Sequence, residues 1–436
     1  MNKISHITFV NLILAFAFFQ QVLVINIGGS IRISDIICFI GGCAVIASSK
    51  KLSGNEVIIL FLLFVISPLI GLAVSQIRYD DFNEFYSYFG RQASSLRYDS
   101  FLAPLIIYFY YILIFLYGSI LASSNLTEEN FRKLSRTFIF SGLIVCIYSI
   151  YGLIFVRIYG YPDLVPSFID ARNTSPISEA RPSGFSSEAG DLSFMLVWAL
   201  FLLNFQKGLF NKFSKNLLNL IFISIMIMTL STGLLALVFA FFIYICFWQR
   251  RFLVFFTSLI IALPAIYYVL SDDLLRFVFY EKVLKAFEIM ISGSEPSLSS
   301  AEIRGYHWFM GLELFKDNFI FGVGGGNSYF HLWRYDTWGM AELDGPKNIY
   351  IKMASELGVF GLGLLLLVYY SAFKFAFKLR NLDPNLASLV FISTLFFSIG
   401  IMALSTIYSL WMWVIFLLII YRGRFELQEH TKSANN

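Results

Sequence analysis

The chain has 436 residues, of which 58% are hydrophobic and only 14% charged. Soluble domains carry about 25% charged residues, so the composition excludes an ordinary soluble globule. Apolar stretches of helical length exclude an outer-membrane barrel, whose strands alternate apolar and polar positions. A net charge of +4 is too small to argue for a nucleic-acid partner. What remains is an all-α polytopic integral membrane protein, each span using about 20 apolar residues.

Twelve spans are predicted near 7–26, 32–49, 55–75, 101–123, 134–157, 188–205, 216–231, 232–248, 252–270, 347–371, 386–403 and 405–421. No small-residue cleavage signal follows the first apolar run, so it reads as a retained helix. Ser231-Thr232-Gly233 makes a tight turn between the seventh and eighth spans. Cys38, Cys43, Cys146 and Cys246 all fall in apolar runs without CxxC spacing, which predicts buried thiols with no disulfide framework and no metal site.

The short connections carry 17 of the 32 lysines and arginines, from Lys3 through Lys50 and Lys51, Arg132, Lys207, Arg250 and Lys374 to Lys432. By the positive-inside rule these connections and both termini are cytoplasmic. The long connections, 76–100, 158–187 and 271–346, then lie outside the cytoplasm, which becomes the periplasmic side on the resemblance given below. The last, at roughly 75 residues, is far beyond an ordinary connection and reads as functional. Its periodic apolar positions, among them Leu274, Phe277, Phe287 and Met290, predict short helices, with a flexible piece over Ile291–Ser300. The whole is a single membrane domain, 1–436. Its halves show no repeat, unlike many transporters.

Three clusters can carry chemistry. The first is Arg181-Pro-Ser-Gly-Phe185 followed by Glu188 and Asp191 at the mouth of the sixth span. The two carboxylates share a helix face and call for a wet cavity, a basic partner or the dipole at a helix N-terminus. The second is Arg304 with His307 and Trp308, which would form one cationic, aromatic helix face. Gly322-Val-Gly-Gly-Gly-Asn327 follows, a run that would let backbone N–H groups approach an anion or simply form a turn. It lacks the lysine ending of a nucleotide-binding loop. The third is Lys347 and Asn348, then Tyr350, Lys352 and Glu356. Lys347 belongs at the interface, and Lys352 and Glu356 are spaced as an ion pair. Arg32 and Asp35 position the start of the second span. His331, Arg334, Asp336 and Asp344 make a poor metal set, and His6 and His430 are remote.

In this order and on this topology the clusters resemble the family of O-antigen polymerases and O-antigen ligases. The resemblance rests on Arg-Pro-Ser-Gly-Phe at 181–185, Glu-Ala-Gly at 188–190, Ser-Thr-Gly at 231–233 and Arg304 with Trp308. It continues with Gly-Val-Gly at 322–324 and Asn327, then Asn348 with Glu-Leu-Gly at 356–358. It implies an inner-membrane glycosyltransferase of the GT-C type that takes glycans from undecaprenyl pyrophosphate, without nucleotide sugar, cofactor or metal. It also implies a chain-length-regulating co-polymerase as partner. Ligases carry a histidine and a glycine with ten residues between them; here Lys347 and Gly358 meet that spacing, with lysine in the histidine's place. That departure favours the polymerase.

On this resemblance a hydroxyl of the acceptor repeat unit attacks the donor's anomeric carbon and undecaprenyl pyrophosphate leaves. Arg181, Arg304 and Lys347 are the cations for the pyrophosphate. Glu188, His307 and Lys347 are the candidate bases, with Asp191, Asn327, Asn348 and Tyr350 as support or substrate contacts. Tyr79, Phe82, Phe85, Tyr86, Tyr88, Trp333 and Trp338 suit sugar stacking or an interfacial aromatic belt. The competing classes are the ligase, another lipid-linked sugar transferase, a flippase and a membrane scaffold. A flippase should show two similar halves and short loops.

Overall fold

The computed structural model describes residues 6–19, 24–26, 30–48, 55–75, 102–159, 189–229, 231–250, 284–297, 300–340, 345–346, 348–403 and 410–435. It also describes the pieces 177–178 and 181–182 and the single residues 87, 185 and 257. The described chain is helical apart from two short hairpins and the turns and loops between elements. In chain order the elements are α1 (His6–Ala15), β1 (Val24–Asn26), β2 (Ser30–Arg32), α2 (Ile33–Ala47), α3 (Asn55–Phe61) and α4 (Ser67–Ser75). Next come α5 (Leu102–Ser123), α6 (Glu128–Tyr151), β3 (Ile177–Ser178), β4 (Arg181–Pro182), α7 (Ala189–Phe205), α8 (Lys212–Met228) and α9 (Thr232–Ile243). The last are α10 (Lys285–Ser292), α11 (Ser300–Asp317), α12 (Ser328–Leu332), α13 (Ile349–Leu379), α14 (Pro384–Gly400) and α15 (Leu410–Asn435).

Helices fall within eleven of the twelve predicted spans, and the ninth span lies outside the described residues but for Thr257. The first span is shorter than expected. Helix α1 ends at Ala15, and Val24–Asn26 pairs antiparallel with Ser30–Arg32. The β-branched residues Val24 and Ile25, followed in sequence by Gly28-Gly29, favour a hairpin over a continued helix. Arg32 and Asp35 do form the start of α2: the Arg32 N–H donates to the Asp35 carboxylate at 3.0 Å.

Among the described residues two helices are long and apolar enough to cross a membrane, Glu128–Val156 and Ile349–Leu379, and several shorter apolar helices accompany them. Their ends are specified locally. Thr127 caps α6, with Glu128 and Glu129 in its first turn. Asp383 caps α14, with Pro384 in the first turn, where its missing N–H costs nothing.

Helix α7 is apolar all round and buried from Leu192 to Leu203, as a helix surrounded by others must be. It packs on α6, α8, α9 and α14. Trp198, Phe396, Phe397, Trp413 and Phe416 fill the centre, with Phe397 and Phe416 stacked at 4.2 Å. The outer faces are also apolar. Phe140, Ile144 and Ile147 on α6 and Phe213, Leu217 and Leu220 on α8 are exposed at helical spacing, which suits lipid and not water. Cys43 corrects the prediction of buried thiols: it is exposed on the apolar face of α2 that also presents Phe39 and Ile46, so lipid contact explains its apolar surroundings.

Contacts at one end of the bundle join connections rich in basic residues. Arg424 pairs with Glu56 at 3.2 Å, Arg136 donates to the Leu209 carbonyl, and Arg380 donates to the Trp248 carbonyl. At the other end, α10, α11 and α12 pack together and α11 lies on α13. Ile289, Tyr306, Met310, Leu314, Val323 and Leu332 make a small core of their own there. The described part of Ile291–Ser300, expected to be flexible, is held instead. Ser297 donates through its N–H and its hydroxyl to Glu302, each at 2.6 Å, and Lys285 pairs with the same carboxylate at 2.7 Å.

Candidate functional site

The site is organised by a break in α13. Gly358 has φ +66 and ψ −167 inside an otherwise helical run. In a continuous helix the carbonyls of Ser355 and Glu356 would accept from the N–H groups of Val359 and Phe360. Here the segment 319–324 is spliced into the gap. Val323 and Gly324 donate to the Ser355 and Glu356 carbonyls at 3.0 and 2.8 Å, and Val359 and Phe360 donate to the Phe319 and Ile320 carbonyls at 2.8 and 3.2 Å. These four groups freed by the break are paired again, as buried non-helical backbone requires. Gly322, at φ +66, allows the approach from the other side: a Cβ there would lie 2.3 Å from the Glu356 carbonyl carbon.

Of the two readings of the glycine run, an approach to an anion or a simple turn, the structure has Gly326 N–H on a carboxylate. The anion it holds is the protein's own. Glu356 is fully buried, and its Oε2 accepts from Gly326 N–H at 2.8 Å and Tyr111 Oη–H at 3.2 Å. Its Oε1 accepts from Ser328 Oγ–H at 2.7 Å and lies 4.0 Å from Lys352 Nζ. The predicted Lys352–Glu356 ion pair is present, but it is part of a larger clamp joining α5, the glycine loop, α12 and α13. Tyr111 and Ser328 were not foreseen. The sequence signals for the clamp were a carboxylate inside an apolar span and its spacing from Lys352.

Among the predicted support residues, Asn348 is the N-cap of α13, its Oδ1 accepting from Tyr350 and Ile351 N–H at 3.0 and 3.3 Å. Tyr350 Oη–H donates to the Ser398 carbonyl at 2.6 Å and so pins α13 to α14. Asn327 is buried and donates to the Val323 carbonyl. All three side chains are engaged within the protein.

Helix α11 carries Arg304 and His307. The predicted common face with Trp308 divides. His307 is 1% exposed, and its Nε2–H donates to the Met340 carbonyl at 2.8 Å, which makes Nδ1 the basic nitrogen of the neutral ring. Trp308 packs edge-on against Phe287 of α10. Arg304 is half-buried, two turns before Gly311 on the same side of the helix. A Cβ on Gly311 would lie 2.6 Å from Ile351 Cγ2 and 2.8 Å from Pro346 Cγ. The face of α11 that bears Arg304 and His307 is therefore the one applied to the start of α13, next in sequence to Lys347.

Lys347 and Glu188 lie outside the described residues, as do Tyr79, Phe82, Phe85, Tyr86 and Tyr88. Arg181 is described by its backbone, which pairs with Ser178 in the second hairpin. Phe185, four residues on, packs on Phe19 and Tyr148 at 4.9 and 4.3 Å. Asp191 is half-buried in the first turn of α7. The Arg181–Pro182 strand lies against α8. Trp338 is exposed beside the site, its indole N–H donating to the Gly293 carbonyl, and Arg334 lies over the Trp333 ring at 5.7 Å. Below them Tyr335 donates to Asp317 at 2.5 Å. Burial, and then that hydrogen bond, push the Tyr335 phenol well above its usual range.

Residues 217–366, from α8 through the break in α13, match the family model described as O-Antigen ligase. No curated protein matches the chain. The family match bears out the resemblance to O-antigen polymerases and ligases, and supports an enzyme of that ligase or polymerase type in an all-α membrane protein.

Proposed function

We propose that the chain is an O-antigen polymerase. It transfers a growing glycan from undecaprenyl pyrophosphate to a new lipid-linked repeat unit on the periplasmic face of the inner membrane. The observation that carries the choice between polymerase and ligase is Lys347, which stands with ten residues between it and Gly358 where the ligase pattern has histidine. The break at Gly358 gives that glycine a structural reason, so the spacing is a meaningful register for placing Lys347 at the mouth of α13.

Arg304 and Lys347 hold the pyrophosphate between α11 and α13, with Arg181 as the third cation. A guanidinium grips phosphate through two parallel N–H bonds and keeps its charge at every accessible pH. As the glycosidic bond to the donor breaks, the pyrophosphate oxygen gains negative charge, and these cations stabilise it without a metal. The base that takes the acceptor's proton is Glu188. His307 is enclosed and already bonded to Met340, which suits it to supporting the loop beside Arg304. Lys347 stays charged because the bound pyrophosphate favours its ammonium form.

The apolar outer faces and the grouping of basic connections at one end support twelve spans with both termini inside and the Arg304 end in the periplasm. The lipopolysaccharide gel pattern of a deletion strain tests the function. Loss of a polymerase leaves a single repeat unit on the core. A core without any repeat unit would instead identify the ligase, whose acceptor is the lipid A core, or a flippase.

A further inference from the structure

We infer that Glu356 is a positioning residue of the transfer site, acting through the glycine loop and not on substrate. This rests on the polymerase reading. The carboxylate uses both oxygens: one takes Gly326 and Tyr111, the other Ser328 and faces Lys352. Gly326 and Ser328 flank the junction between the loop and α12. The other end of the loop is spliced into α13 through Val323 and Gly324. The loop in turn is the direct continuation of α11, whose Gly311 lies against Pro346 and Ile351. The Arg304 face of α11 and the Lys347 end of α13 are thus set relative to each other by a loop that Glu356 holds at two points.

The ion pair alone does not explain this arrangement. A buried lysine and glutamate need each other's charge, but that need is met by any geometry bringing them together. The Glu356 carboxylate is aimed instead at a backbone N–H and a hydroxyl of the loop, at 2.8 and 2.7 Å, while the ammonium stands off at 4.0 Å. Its shortest bonds are to the element that must be placed. Two phosphate-binding cations on different segments of the chain are useful only at one separation, and a shift of about 1 Å can cost about a hundredfold in rate.

The test uses the full chain in membranes, with a lipid-linked repeat unit as substrate, and reads thermal unfolding, donor KM and kcat. Glu356→Gln alone removes the carboxylate that faces the buried Lys352 ammonium and should lower stability. Combining Glu356→Gln with Lys352→Met removes both charges and should restore the melting temperature. The amide retains one accepting oxygen, so the loop is held at one point, and kcat should stay at least about tenfold below wild type with donor KM little changed. Recovery of wild-type kcat in the double variant would show the pair to be structural and overturn the inference. Ser328→Ala removes one contact and no charge. It should lower kcat at unchanged KM, and a wild-type kcat there overturns the inference even where the double variant fails to fold. Wild-type membranes that never extend the repeat unit would overturn the polymerase reading, and the positioning role with it.

Discussion

Gly358 and Ile320 meet backbone to backbone: a Cβ on Gly358 would lie 2.2 Å from the Ile320 carbonyl oxygen, the same oxygen that accepts from Phe360 N–H. Neither partner is a flexible side chain that can yield. The break in α13 and the loop that fills it therefore exist together or not at all.

Gly358→Ala combines a left-handed φ with a backbone collision, and a non-glycine residue there costs about 1–2 kcal/mol before the collision is counted. It should unfold earlier and lose activity. Gly363→Ala, five residues on, meets nothing within 4 Å and should be neutral or stabilising by about 0.5–1 kcal/mol. Thermal melting of the two purified variants makes the comparison.

The orientation is open to reporter fusions. Fusions near 215 and 385 should read cytoplasmic, and those near 170 and 310 periplasmic. A cytoplasmic reading at 310 would place Arg304 on the wrong side for the proposed lipid-linked substrate.

Arg181→Ala and Arg304→Ala should leave the protein inserted but stop chain extension. Lysine should rescue poorly, since it supplies a point charge without the bidentate fork. Full-length glycans from Arg304→Ala would make Arg304 a structural residue. The same result from Arg181→Ala would make Arg181 structural in the same way.

Lys347→Arg keeps the charge and cannot act as a base. It should retain measurable polymerisation, while Glu188→Gln, close in shape but not basic, should lose most of it. Arginine inactive and glutamine active would transfer the base role to Lys347.

Tyr335 sets an alkaline limit on the α10–α12 cap. Its folded phenol is shifted upward, so the folded state holds the proton more tightly. The stability this adds is fully present below the unfolded value near pH 10 and is lost as pH rises beyond it. Tryptophan fluorescence from Trp333 and Trp338 should follow that loss. Tyr335→Phe should cost about 1 kcal/mol near neutrality and show a weaker alkaline transition.

The helical membrane class was legible in composition, because bilayer spans demand long apolar runs whatever packs against them. The order of the clusters and the i, i+4 pairing of Lys352 with Glu356 were legible too, since helical spacing brings such residues together without tertiary help. The hairpin at Val24–Asn26 was not, because a short apolar run fits strand and helix alike. Nor was the fate of the glycine run: free N–H groups in sequence suit any anion, and only the fold presents Glu356 to them. The roles of Asn348 as a cap and of His307 as a buried, bonded ring likewise depend on Tyr350 N–H and the Met340 carbonyl. Sequence by itself determined which side chains were available to the site. Tertiary structure decided which were already engaged, because a buried polar group takes whichever partner the packing brings within reach.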